Sequence, residues 1–189
     1  MTAALITKPL VEPLTLASAK AHLRIDGTDE DVFVSELIIA ARQYLEKLSG
    51  LRLITQTWRQ YLDCWPKSQV LELAFRPVQS VQSITVYDAD GAPAIIPASK
   101  YQLDNISDIA RIHMANPATP GMAMNGIEVE FIAGFGDAGI DVPDTLKRAL
   151  LMLIAHWYEF RGAISPGDQP VSIPPGFEAL IHPFKRMTI

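Results

Sequence analysis

Hydrophobic positions follow a helical period near both ends of the chain and a period of two through its middle. In "LASAKAHLRI", Leu16, Ala19 and Leu23 share one face, with Thr15 as an N-cap and Gly27 and its neighbours as a stop. A second helix follows almost at once. Thr28 or Asp29 caps it, the acids Asp29, Glu30 and Asp31 suit the positive end of its dipole, and "VFVSELIIAARQYLEKLSG" carries it to Gly50. Phe33, Val34, Leu37, Ile38, Ala41, Tyr44, Leu45 and Leu48 form its apolar stripe. Ser35, Arg42 and Glu46 lie opposite, and Ile39 is stranded on that polar side.

From about residue 51 the period changes to two, and β-branched and aromatic residues stand between turn signals: "LITQTWRQYLD", "VLELAF", "VQSITVYD", "AIIP", "YQLD", "IARIHM" and "GIEVEFIAG". "DADG" at 88–91 marks a hairpin turn, and the spacing leaves no room for crossover helices, so the sheet is expected to be largely antiparallel. A last long helix starts near Pro143 and runs to about Arg161. Leu146, Ala149, Leu150, Leu153, Ile154, Trp157 and Phe160 make its main apolar face, while Leu151 and Tyr158 project on another side, so more than one surface should be covered. "GAISPGDQPVSIPPG" then reads as a loop or arm, and "FEALIHPFKRM" as a short helix ending near Pro183.

These patterns predict an α+β fold in which the N-terminal helical pair and the C-terminal long helix form a helical bundle, with a largely antiparallel β module inserted between them. The expected boundaries are 1–50 for the N-terminal helices, 51–136 for the β module, 137–163 for the long helix, and 164–189 for the proline-rich arm and short C-terminal helix.

Composition narrows the chemistry. With 189 residues, 49% of them hydrophobic, the chain can bury a real core. Its net charge of −5 argues against a phosphate-gripping surface. The single cysteine, Cys64, excludes an intramolecular disulfide and is expected as a small buried apolar side chain. The opening "MTAALITKPLVEP" lacks a secretory pattern, and "ALLMLIAHWY" is about half the ~20 residues that cross a bilayer, so no membrane role is expected.

Gly134-Phe135-Gly136-Asp137-Ala138-Gly139 spells G-x-G-x-x-G between a strand and a helix. A dinucleotide site needs those glycines at the first turn of the helix and an acid at the end of a second parallel strand. Here Ile140, Asp141, Val142 and Pro143 intervene, and the acid position falls inside the helix. The segment therefore reads as a strand-exit loop without a cofactor. "DGTDED" at 26–31 has the wrong order for an EF-hand and reads as helix capping. His156 and Glu159 lie one turn apart and are read as a hydrogen-bonded structural pair rather than a metal or acid/base site, because His22, His113 and His182 are scattered. No nucleophile motif is found. No catalytic, cofactor or metal residue is assigned.

The order of the parts is more informative than any motif. "LTLASAKAHLRID", "LITQTW", "AGFGD" followed by "VP", and "LIAHWYEFR" occur in sequence along nearly the whole chain. In this the chain resembles the gp6-like family of tailed-phage head–tail connector (adaptor) proteins, and within it the phage gp8-like prophage subgroup. The resemblance implies a structural virion protein, made in the bacterial host cytoplasm and placed in the head–tail neck. It implies a homo-oligomeric ring, twelve-fold in the virion, that docks below the portal protein and links the DNA-filled head to the next neck or tail-completion protein. Genomic DNA would pass through the lumen without specific binding, and no membrane is involved. A head-closure or tail-completion ring is the alternative within the virion, and a small nucleotide- or metal-dependent enzyme the remote one. Portal contact is expected from Phe177, Leu180, Ile181 and Phe184, spaced i, i+3, i+4 and i+7, together with Lys185 and Arg186. Subunit contact is expected from Ile39, Leu151 and Tyr158, because a ring needs two different faces besides the core.

Overall fold

The computed structural model describes residues 2–160 and 173–185. Its elements run β1 (Thr2–Thr7), α1 (Leu16–Leu23), α2 (Asp31–Ser49), β2 (Gln56–Leu62), β3 (Val70–Glu72), β4 (Val78–Tyr87), β5 (Pro93–Ile95), β6 (Gln102–Asp104), β7 (Arg111–His113), β8 (Ile127–Ala133), α3 (Asp144–Glu159) and α4 (Pro175–Ile181). The fold is α+β, and the paired strands are antiparallel. The chain divides into two compact units, residues 1–9 with 55–135 and residues 10–54 with 136–189.

The first unit holds two sheets, ordered β1-β2-β8-β4-β5 and β3-β7-β6. Strand β8 lies between β2 and β4, and its "IEVEFIA" alternation turns Ile127, Val129, Phe131 and Ala133 into the core while Glu128 and Glu130 take the other face. Ile84 and Val86 of β4, Leu71 of β3 and Ile112 of β7 meet them there. The buried Gln60 of β2 extends the ladder sideways: its amide donates to the Glu72 carbonyl at 3.1 Å and its Oε1 accepts from the Ala74 amide at 2.9 Å. On the outer face Arg59 reaches Glu130 at 2.7 Å and Glu128 at 3.5 Å. The bond to Glu130 holds the Arg59 guanidinium above its usual range.

Strand β1 is absent from the sequence expectation. "TAALIT" does not alternate because this edge strand is only partly covered, and backbone pairing with β2, Ala4 opposite Arg59, fixes it rather than a hydrophobic face. Cys64 also departs from expectation: it is exposed just beyond β2. In the "DADG" turn, Asp88 Oδ1 accepts from the Asp90 and Ala92 amides at 2.9 Å each, closing the β4–β5 hairpin.

The second unit carries the described helices, with α1 against α2 and α3, α2 against α3, and α3 against α4. Thr15 Oγ1 accepts from the Ser18 amide at 3.1 Å, so this cap forms as expected. Helix α1 stops three residues before Gly27, at Arg24 in the left-handed region (φ 59°), because the Arg24 and Ile25 amides already close onto the carbonyls of the last turn. Helix α2 is preceded by Glu30, not capped by the Thr28 or Asp29 side chain. The Glu30 carboxylate is engaged by the Tyr158 hydroxyl of α3.

A larger difference concerns the polar side of α2. Arg42 and Glu46 are buried, and they bind segments on either side of the helix. Arg42 Nε and Nη2 donate to the two carboxylate oxygens of Glu12 at 2.7 and 3.1 Å, and Nη1 donates to Glu46 at 3.1 Å. The other oxygen of Glu46 accepts from the Leu53 amide at 2.9 Å. Residues Leu51, Leu53 and Ile54 are consequently buried in this unit instead of opening β2, which begins at Gln56. Burial beside the Arg42 charge pulls the neighbouring Arg52 guanidinium down to about 10.

Breaking a buried pair leaves an uncompensated charge, whereas an exposed pair contributes little. Arg42→Ala is expected to lower the unfolding free energy by about 3 kcal/mol. Removing the Lys147 partner by Asp144→Ala, at a carboxylate 96% exposed, should change it by less than about 1 kcal/mol. Urea unfolding followed by circular dichroism measures both; equal losses would contradict this account.

Candidate assembly interface

Helix α4 carries the residues expected to dock on a partner. Phe177 and Ile181 are fully buried, so they belong to the core of their own unit. The Phe177 ring lies 6.1 Å from Tyr44 of α2, and Tyr44 meets Trp157 of α3 edge-on at 5.7 Å. Helices α3 and α4 are so close that a Cβ on Gly176 would stand 2.5 Å from Met152 Cε. Burial explains why the i, i+3, i+4, i+7 pattern does not present a free docking stripe: half of it has been used to close the aromatic cluster. Leu180, Phe184 and Lys185 remain half-exposed, and Lys185 stands 3.9 Å from Glu178. Arg186 and the proline-rich arm through residue 172 lie outside the described residues.

The expected subunit contacts separate in the same way. Tyr158 is turned inward, its hydroxyl donating to Glu30 and its ring 6.3 Å from Phe33. Leu151 is half-buried, while Ile39 is exposed. The remainder of that exposed set was not identified from sequence. Leu10, Val11, Val32 and Ile140 are exposed in the same unit, and the signal that could have found them is an apolar residue inside a loop or on the polar side of a helix.

The glycine loop is built around Asp141. Its carboxylate accepts from the Ala138 amide at 3.0 Å and folds over Gly136, where a Cβ would meet Asp141 Oδ2 at 2.3 Å and its Cβ at 2.6 Å. Gly136 is thus required for space, and positive φ is confined within this loop to Gly134 (φ 144°). A Cβ on Gly139 would stand 2.6 Å from the Pro13 carbonyl, so loop 136–142 rests on the segment before α1. These amides and side chains close on each other. They form a compact turn that holds Ile140 outward.

His156 and Glu159 do not pair. The imidazole lies against Phe160, ring centroids 4.9 Å apart, and Glu159 is exposed at the end of α3. Among the described residues no group of three or more His, Cys, Asp or Glu side chains is placed to hold a metal ion, and no helix is long and apolar enough to cross a membrane.

The loop geometry predicts non-additive substitutions. Gly136→Ala should displace Asp141 and cost about 1–2 kcal/mol, and Asp141→Ala should cost about 1 kcal/mol through loss of the turn hydrogen bond. The double variant should lose no more than the larger single loss plus a few tenths. Thermal unfolding of the three variants tests this, and full additivity would show that the two residues do not act through one contact. Phe177→Ala should cost about 3–5 kcal/mol.

Comparison with known proteins places this geometry in a family. The model of the head completion protein family matches residues 12–165. Among curated proteins no sequence matches significantly. Solved structures match over 100% of this chain and 97% of theirs. One is a chain from the neck of an empty gene transfer agent (GTA) particle computed with C6 symmetry, at 25% identity and a TM-score of 0.85. Another comes from the virion of a native GTA particle, at 26% identity and 0.84. A third comes from the neck of a native GTA particle computed with C12 symmetry, at 25% identity and 0.82. The family match spans well over half of the chain and the structural likeness all of it, so this chain belongs to the head completion protein family.

Proposed function

We propose that this protein assembles as a ring directly below the portal protein and carries the next neck or tail-completion protein on its far side. Family membership together with whole-chain likeness to GTA neck proteins makes it a structural head–tail connector of the virion neck. The observation that carries the finer reading is the extent of that likeness, 100% of this chain at a TM-score of 0.85 to a neck chain in a rotationally symmetric assembly. In this reading the four described helices act as a bundle that sets the subunit's shape, and the role is mechanical rather than catalytic. Portal contact is assigned to the residues of the C-terminal segment that are not fully buried, Leu180, Phe184 and Lys185.

Two experiments test it. Particles made without the gene should contain DNA-filled heads that lack tails in negative-stain micrographs, with tails restored by the gene in trans. Purified protein should co-sediment with portal-bearing heads that lack every other neck component. A head-closure or tail-completion ring would fail in that second assay while still requiring the gene. Lys185→Glu should leave the melting temperature within about 2 °C, since a solvent-accessible pair at 3.9 Å contributes little, yet weaken co-sedimentation at least tenfold. Unchanged co-sedimentation would remove α4 from the portal contact.

A further inference from the structure

Five exposed apolar residues of the helical unit, Leu10, Val11, Val32, Ile39 and Ile140, are linked through a chain of contacts. Val32 and Ile39 are two turns apart on the same face of α2, and Ile39 precedes Arg42 by three positions on that face. Arg42 grips Glu12, whose neighbours Val11 and Leu10 are exposed, Leu10 at 91%. Pro13, next along that segment, touches Gly139, and the adjoining Ile140 is 86% exposed at the tip of its loop. Each support is rigid: the segment at 10–13 is clamped by a buried guanidinium, and the loop is closed by Asp141. Side chains held out on clamped backbone lose little conformational freedom on binding, which is the property of an interface anchor.

From this path we infer the ring contact itself: Leu10, Val11, Ile39 and Ile140 form the surface by which one subunit packs against a second copy of the same chain. The inference rests on the ring reading above. Two observations favour a second copy over a different neck protein. The matching chains come from necks computed with six- and twelve-fold rotational symmetry, an operation that repeats a chain about one axis. A cyclic contact is head-to-tail, so it needs two unlike faces on one chain, and the charges provide them. Around Ile140 stand the exposed acids Asp137, Asp141 and Asp144. Helix α1 with its cap residue presents the exposed Arg24, and no acid occurs from Pro13 to Ile25, while Lys20 is taken up by Asp31. Opposite charge at the rim of an apolar contact selects its register and speeds its formation.

The test places p-benzoylphenylalanine at position 140 in the full chain and irradiates particles assembled with it. The expected product is an adduct at twice the 20.8 kDa chain mass, with both halves giving peptides of this chain. Ile140→Asp should keep the wild-type melting temperature and reduce incorporation into particles at least tenfold. An adduct with another virion protein, no adduct, or full incorporation of Ile140→Asp would overturn the inference while leaving the neck assignment intact. Absence of the wild-type chain from purified particles would remove the ring reading, and this surface with it.

Discussion

One buried guanidinium organises the helical unit. Arg42 projects from the middle of α2, takes both oxygens of Glu12 from the segment before α1, and shares Glu46, whose second oxygen receives the Leu53 amide from the segment after α2. Two stretches of chain, one before α1 and one after α2, are thereby tied to one helix face. The desolvation cost of such a cluster is large and is offset only by near-complete hydrogen bonding. The bidentate Arg42–Glu12 pair and the backbone donor to Glu46 provide much of that bonding. What the cluster contributes is position more than stability.

The first unit solves a comparable problem with a neutral group. Its core forms where the inward faces of two antiparallel sheets meet, and Gln60 ties the larger sheet to the strand segment of the smaller one through its side-chain amide. Every other residue of β8 serves that core, and the alternate positions supply the acids that hold Arg59. A sheet with one apolar face and paired charges on the other can meet solvent on the charged side.

The same economy appears in the glycine loop. The Asp141 carboxylate holds the turn closed through the Ala138 amide, and Ile140 is the apolar group the loop displays. A structural assembly protein needs surfaces of this kind, firm in shape and apolar at a few points, more than it needs reactive groups. Membership of the head completion protein family and the arrangement of these residues therefore agree, each on separate grounds.

Sequence periodicity by itself determined the α+β class, the long helices α2 and α3, the strands β2 to β8 and their antiparallel sense, because each of these follows from local spacing and turn chemistry. It also separated the glycine loop from a dinucleotide fold, since the distance from the third glycine to the helix is a matter of counting. Tertiary structure alone decided the rest. Arg42 and Glu46 read as a solvated face until Glu12 and Leu53 arrive from outside the helix to cover them. Phe177 and Ile181 read as free anchors until Tyr44 and the α3 helix close over them, and Tyr158 reads as free until Glu30 takes its hydroxyl. β1 carries no hydrophobic period because its partner supplies backbone bonds instead. In each case burial came from residues distant in the chain, and a periodicity computed within one element cannot register a neighbour that another element brings.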